Sequence, residues 1–91
     1  MEVMRQWVVY ILQCGDGCLY TGITDDLSRR LAAHSDGKGA KYTRGRGPFT
    51  VRYVENCESH SAALRREYQI KSLTRAQKMK LCANYCEQSN M

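Results

Sequence analysis

The chain has one proline, one tryptophan and one phenylalanine among 91 residues, and it has no long apolar run. Its longest such run, WVVYIL (Trp7–Leu12), is far too short for a bilayer, which takes about 20 residues. The opening MEVMRQ carries Glu2 and no extended apolar core, so it does not read as a secretion signal. A cytoplasmic protein without membrane association is the expectation. Acidic residues are also scarce: 9 Asp plus Glu against 14 Lys plus Arg, a net charge of +5. That balance favours polyanionic partners, such as nucleic acid or an acidic lipid surface. Five cysteines cannot all pair within one chain, which argues against a disulfide framework. Cys14/Cys18 and Cys82/Cys86 are spaced C-x-x-x-C, looser than the usual zinc knuckle. They read better as small buried hydrophobes.

The length fits one domain over 1–91, with a core over about 7–80 and a polar tail over 84–91. Trp7–Gln13 is β-branched and aromatic and predicts a first strand. Gly15-Asp16-Gly17 is a turn, and Leu19-Tyr20-Thr21 returns as a second strand. Thr24 or Asp25 is placed to cap a helix whose apolar side is Leu27, Leu31, Ala32 and Ala33. That helix is expected to end between His34 and Gly37. Phe49–Val54 predicts a third strand, with Phe49, Val51 and Tyr53 alternating against Thr50, Arg52 and Val54. Ser59 or Ser61 caps a second helix through Ser72, and Thr74 with Gln77 forms a capping box for a third, shorter one.

A three-residue loop would set Cys14 opposite Cys18, Leu12 opposite Tyr20 and Tyr10 opposite Gly22. Gly17 suits the left-handed position of such a loop. Tyr10 and Tyr20 then share a sheet face as diagonal neighbours, and Gly22 leaves open space before Tyr10. A two-residue loop would put the tyrosines on opposite faces. Taken alone, the pair is most simply amphipathic sheet surface.

Arg30 and His34 stand four apart on one side of the first helix. An arginine there can grip a phosphate through two hydrogen bonds, and a histidine can donate to it or move a proton. A solvated helix face is the plainer alternative. Glu67 breaks an apolar stripe, since Ala63 and Ile70 lie at i−4 and i+3. A carboxylate there calls for a partner: either a hydrated divalent metal or an ion pair with Arg30 or Lys71. Ser35–Pro48, SDGKGAKYTRGRGP, carries Lys38, Lys41, Arg44 and Arg46 among four glycines. Those cations suit phosphates and Tyr42 suits a base.

VVY at Val8-Val9-Tyr10 and YTG at Tyr20-Thr21-Gly22 resemble the paired signature of the GIY-YIG nucleases. TDDLSRRLAAH supplies the arginine and histidine that follow, and LRREYQIK supplies the glutamate. The likeness covers about Trp7 to Lys80 and is nearest to the small stand-alone bacterial members. It implies an α/β sandwich with a three-stranded antiparallel sheet flanked by about three helices. It also implies an endonuclease that hydrolyses nucleic-acid phosphodiesters, DNA foremost, in repair or recombination, with one Mg²⁺ or Mn²⁺. By that resemblance Tyr10, Tyr20, Arg30, His34 and Glu67 are catalytic, Glu67 as the metal ligand and Tyr10 the favoured base. Lys38, Lys41, Tyr42, Arg44, Arg46 and Lys71 are the expected nucleic-acid contacts. Val8 replaces the first glycine of the signature, and Ile23 stands where some members carry lysine. No accessory DNA-binding module is visible, so substrate choice is expected to need the basic loop, self-association or a partner protein. A non-catalytic nucleic-acid-binding module on the same fold is the alternative.

Overall fold

The computed structural model describes residues 6–89. Three strands, β1 (Trp7–Gln13), β2 (Leu19–Thr24) and β3 (Thr50–Cys57), form one antiparallel sheet in the order β2-β1-β3. Three α-helices accompany it: α1 (Leu27–Ser35), α2 (His60–Lys71) and α3 (Arg75–Ser89). The class is therefore α/β, as the resemblance implies.

The β-branched and aromatic run of β1 becomes the central strand, and its alternation divides the core in two. Val9 and Ile11 join Cys57, Ala63, Ile70 and Cys82 on the face covered by α2 and α3. Val8, Tyr10 and Leu12 point the other way and pack with Leu27 and Leu31 of α1 and with Phe49 and Val51. Each fully buried Ile or Leu in these layers contributes on the order of 1.5–3 kcal/mol. Cys14, Cys57 and Cys82 are buried as small hydrophobes. The Cys86 side chain lies outside the described residues.

The hairpin takes the three-residue loop. Gly17 adopts a φ of 88°, and Tyr10 pairs with Gly22 and Leu12 with Tyr20. The third strand departs from simple alternation. Ile11 pairs with Tyr53 but Leu12 pairs with Val51, so a bulge at Arg52 inserts one extra residue. Parity reverses there: Phe49, Val51 and Val54 share the α1 face, while Tyr53 goes to the α2/α3 face.

The first helix begins later than expected. Thr24 remains in β2, its hydroxyl accepts from the Asp26 amide, and Asp26 is the N-cap through the Arg29 amide. Ala32 proves to be exposed. Ser59 caps α2, and Thr74 and Gln77 exchange the two hydrogen bonds of a capping box. The third helix is the longest at 15 residues, not the shortest. A polar sequence can extend a well-capped helix, so the tail expected from Asn84 is helical through Ser89; positions 90 and 91 lie outside the described residues.

Candidate active site

Tyr10 lies at the middle of the central strand and is fully buried. The space before Gly22 is not open, because the Tyr10 phenol occupies it. A Cβ at Gly22 would stand 2.6 Å from the Tyr10 hydroxyl. Glycine at this point of the edge strand is what admits the ring. The hydroxyl lies 3.0 Å from Nε2 of His34, and His34 Nδ1 lies 2.8 Å from Oγ1 of Thr43. Thr43 belongs to a short 3-10 turn, Lys41–Thr43, in the basic segment, and its hydroxyl donates to the Ala40 carbonyl at 2.9 Å.

His34 is enclosed by rings. Tyr20 stands edge-on at 5.3 Å, Phe49 at 5.8 Å and Tyr10 at 6.1 Å between centroids. Only 1% of its surface is exposed. Burial pushes its pKa below the ordinary histidine value, and the nearby Arg30 cation pushes the same way. Both ring nitrogens are engaged, so His34 faces the tyrosine and not an incoming phosphate. Burial likewise raises the Tyr10 pKa, while the Arg30 guanidinium against its hydroxyl opposes that rise and the Glu67 carboxylate adds to it. Interaction with the Tyr10 hydroxyl, and after it with Tyr20, raises the Arg30 pKa above the ordinary arginine value.

Tyr20 differs from Tyr10 in exposure: it is half-buried. It stacks on Tyr42 at 6.0 Å and lines a cleft of about 370 Å³ with Leu19, Thr21, Tyr42, Lys71 and Lys78. Lys78 comes from the first turns of α3, where the capping box orients it. Its reach into the cleft depends on how α3 packs, which has no signal in the sequence. Thr43 and Gly39 also escaped the sequence reading. A Cβ on Gly39 would collide with His34 Nδ1, so glycine there lets the loop close over the histidine.

Glu67, on α2, is 20% exposed and 3.4 Å from Lys71 Nζ, one of the two ion pairs the sequence allowed. Lys71 itself is 53% exposed, so this pair is partly solvated. Among the described residues no three His, Cys, Asp or Glu side chains form a metal cluster. A single carboxylate does not make a self-sufficient cage. It does fit a cation such as Mg²⁺, which keeps waters and takes its remaining oxygens from a phosphate substrate.

In the basic segment Lys38, Lys41 and Arg44 are exposed. Arg46 is not free in the same sense. It pairs with Asp16 at 2.6 Å and lies over the Tyr42 ring at 4.7 Å. With the Gly15 amide donating to the Arg46 carbonyl, it ties this segment to the hairpin loop. The segment is thus an ordered flap over the α1 face.

A three-stranded sheet carrying paired tyrosines, an arginine and histidine one turn apart, and a glutamate on the following helix defines a nuclease-type fold. Residues 6–80 match the model of the GIY-YIG catalytic domain, and the chain belongs to that family. Its relatives include a UPF0213 protein of Halobacterium salinarum, 59% identical over 70 residues, covering 77% of this chain and 91% of that one. A UPF0213 protein of Oceanobacillus iheyensis is 57% identical over 77 residues, covering 85% and 90%. Two solution NMR structures share the fold. The UPF0213 protein BH0048 from Bacillus halodurans has a TM-score of 0.55 and 49% identity, covering 88% and 84% of the two chains. The protein EF2693 from E. faecalis has a TM-score of 0.63 and 38% identity, covering 93% and 91%. None of the helices among the described residues is long and apolar enough to cross a membrane.

Proposed function

We propose that the protein is a metal-dependent endonuclease that hydrolyses nucleic-acid phosphodiester bonds, DNA foremost, in a repair or recombination setting inside the cell. The observation that carries this reading is the Arg30 guanidinium set against two tyrosine hydroxyls, one buried and one at a cation-lined cleft. Arg30 neutralises a non-bridging oxygen of the scissile phosphate. Tyr20 is the better base than Tyr10, because it alone of the two borders the cleft. Water attacks phosphorus as its proton passes to the Tyr20 phenol oxygen, the Tyr20 proton leaves to solvent, and the P–O bond to the leaving sugar oxygen breaks. That oxygen is protonated from solvent. Glu67 would hold a divalent cation, which when bound would supply charge neutralisation at the phosphate. Tyr10, itself held by His34, keeps Arg30 in place from beneath. Lys38, Lys41 and Arg44 meet the backbone along the flap, with Lys71 and Lys78 along the cleft and Tyr42 as its aromatic wall. Substrate choice then rests on this surface, on self-association or on a protein partner.

A second reading, a binding module without catalysis, draws support from the Glu67–Lys71 pair, which gives the carboxylate a partner without metal. The two separate in a panel of labelled DNA and RNA structures incubated with Mg²⁺ or Mn²⁺, using wild type, a chelator control and Tyr20→Phe. Cleavage that needs the metal and is lost in Tyr20→Phe supports the nuclease. Binding across the panel with no cleavage under any metal supports the module.

A further inference from the structure

The three hydrogen bonds around His34 can all be made at once in only one direction. The Ala40 carbonyl can only accept, so the single hydroxyl proton of Thr43 goes to it at 2.9 Å. Thr43 Oγ1 therefore has only lone pairs to offer His34, and the proton in the 2.8 Å contact sits on Nδ1. In a neutral imidazole Nε2 is then bare, and at 3.0 Å it accepts from the Tyr10 hydroxyl. Tyr10, His34 and Thr43 are all almost wholly buried, so bulk solvent does not reach these groups. Gly39 is part of the same arrangement, since any side chain there would push the flap off Nδ1.

We propose that Thr43 is a positioning residue for the nuclease chemistry: it fixes the His34 tautomer that draws the Tyr10 proton to Nε2. The lone pairs of the Tyr10 oxygen are then left for Arg30, whose guanidinium interacts with that hydroxyl. The flap thereby couples to the site, because the histidine loses its fixed tautomer without the Thr43 acceptor. The catalytic consequence rests on the nuclease reading above, whereas the tautomer does not.

The test is a long-range ¹H–¹⁵N correlation spectrum of the full chain without substrate at neutral pH. His34 is one of two histidines, so His34→Gln assigns its signals. Wild type is expected to show His34 as the Nδ1–H tautomer alone. Thr43→Val keeps the shape but removes the acceptor, and should populate the Nε2–H form; Thr43→Ser should restore Nδ1–H. Wild-type His34 in the Nε2–H form overturns the proposal by itself, even if the valine variant fails to fold. So does a folded Thr43→Val that stays entirely Nδ1–H. In cleavage assays Thr43→Val should lower kcat by about tenfold or more, within the range of proton-handling groups, with KM little changed and recovery in Thr43→Ser. Unimpaired cleavage by Thr43→Val overturns the catalytic part. If wild type cuts nothing, the nuclease reading falls, and the spectrum still decides whether Thr43 sets the tautomer.

Discussion

Tyr10 and Tyr20 share a sheet face but not a role. Tyr10 is sealed beneath α1 with its hydroxyl on His34, and Tyr20 opens onto the cleft. Tyr20→Phe is expected to slow cleavage by about a hundredfold or more with little change in melting temperature. Tyr10→Phe strands a buried Nε2 and should also cost about 1–3 kcal/mol of stability, read by urea denaturation. Equal melting of both variants would contradict this division. His34 gives a pH signature. Its folded-state pKa is depressed, so the unfolded chain binds the proton more readily. The corresponding stability is complete above about pH 6.5, the unfolded value, and is lost as pH falls through the lower folded value. The charged group facing the ring is Arg30 on its own helix, with Tyr10 of β1 and Tyr20 of β2 around it. Wild type should therefore lose more stability between pH 7 and pH 5 than His34→Gln does. Parallel pH profiles would count against a buried neutral histidine.

Among the elements, the hairpin was the most legible in the sequence, because Gly17 selects the loop and the loop sets every pairing. Tyr10 opposite Gly22 follows from that local choice. The bulge at Arg52 has no comparable local signal, and it moved Tyr53 to the other face. The closure of the flap was equally hidden: its glycines and cations stand out, but no local pattern marks the tertiary contact between Thr43 and His34. The residues past Asn84 are polar, yet the capping box starts α3 and the helix runs on through Ser89. That cap can be weighed directly. Thr74→Ala removes the acceptor for the Gln77 amide and should lower stability by about 1 kcal/mol without altering cleavage chemistry. Gly22→Ala is a harsher change at the same scale. It forces a methyl against the Tyr10 phenol, so both the melting temperature and activity should fall. A Gly22→Ala protein with wild-type melting would mean the phenol can move aside freely.

At the scale of the whole molecule the net charge is +5, and the flap and cleft carry Lys38, Lys41, Arg44, Arg46, Lys71 and Lys78. Replacing Lys38, Lys41, Arg44 and Arg46 with alanine should weaken nucleic-acid binding for all sequences alike and flatten its salt dependence. Arg46→Ala alone should also loosen the flap, because that residue ties it to Asp16. The central claim, metal-assisted phosphodiester hydrolysis through Glu67, meets its most direct test in Glu67→Gln. The Glu67–Lys71 pair is half in solvent, so its loss should cost less than about 1 kcal/mol. The measurement is Mg²⁺- or Mn²⁺-dependent cleavage of a labelled substrate by this variant, alongside its thermal melt and its affinity for the same substrate. Normal melting and binding with cleavage abolished is the predicted result. Cleavage at the wild-type rate by a folded Glu67→Gln protein would contradict it.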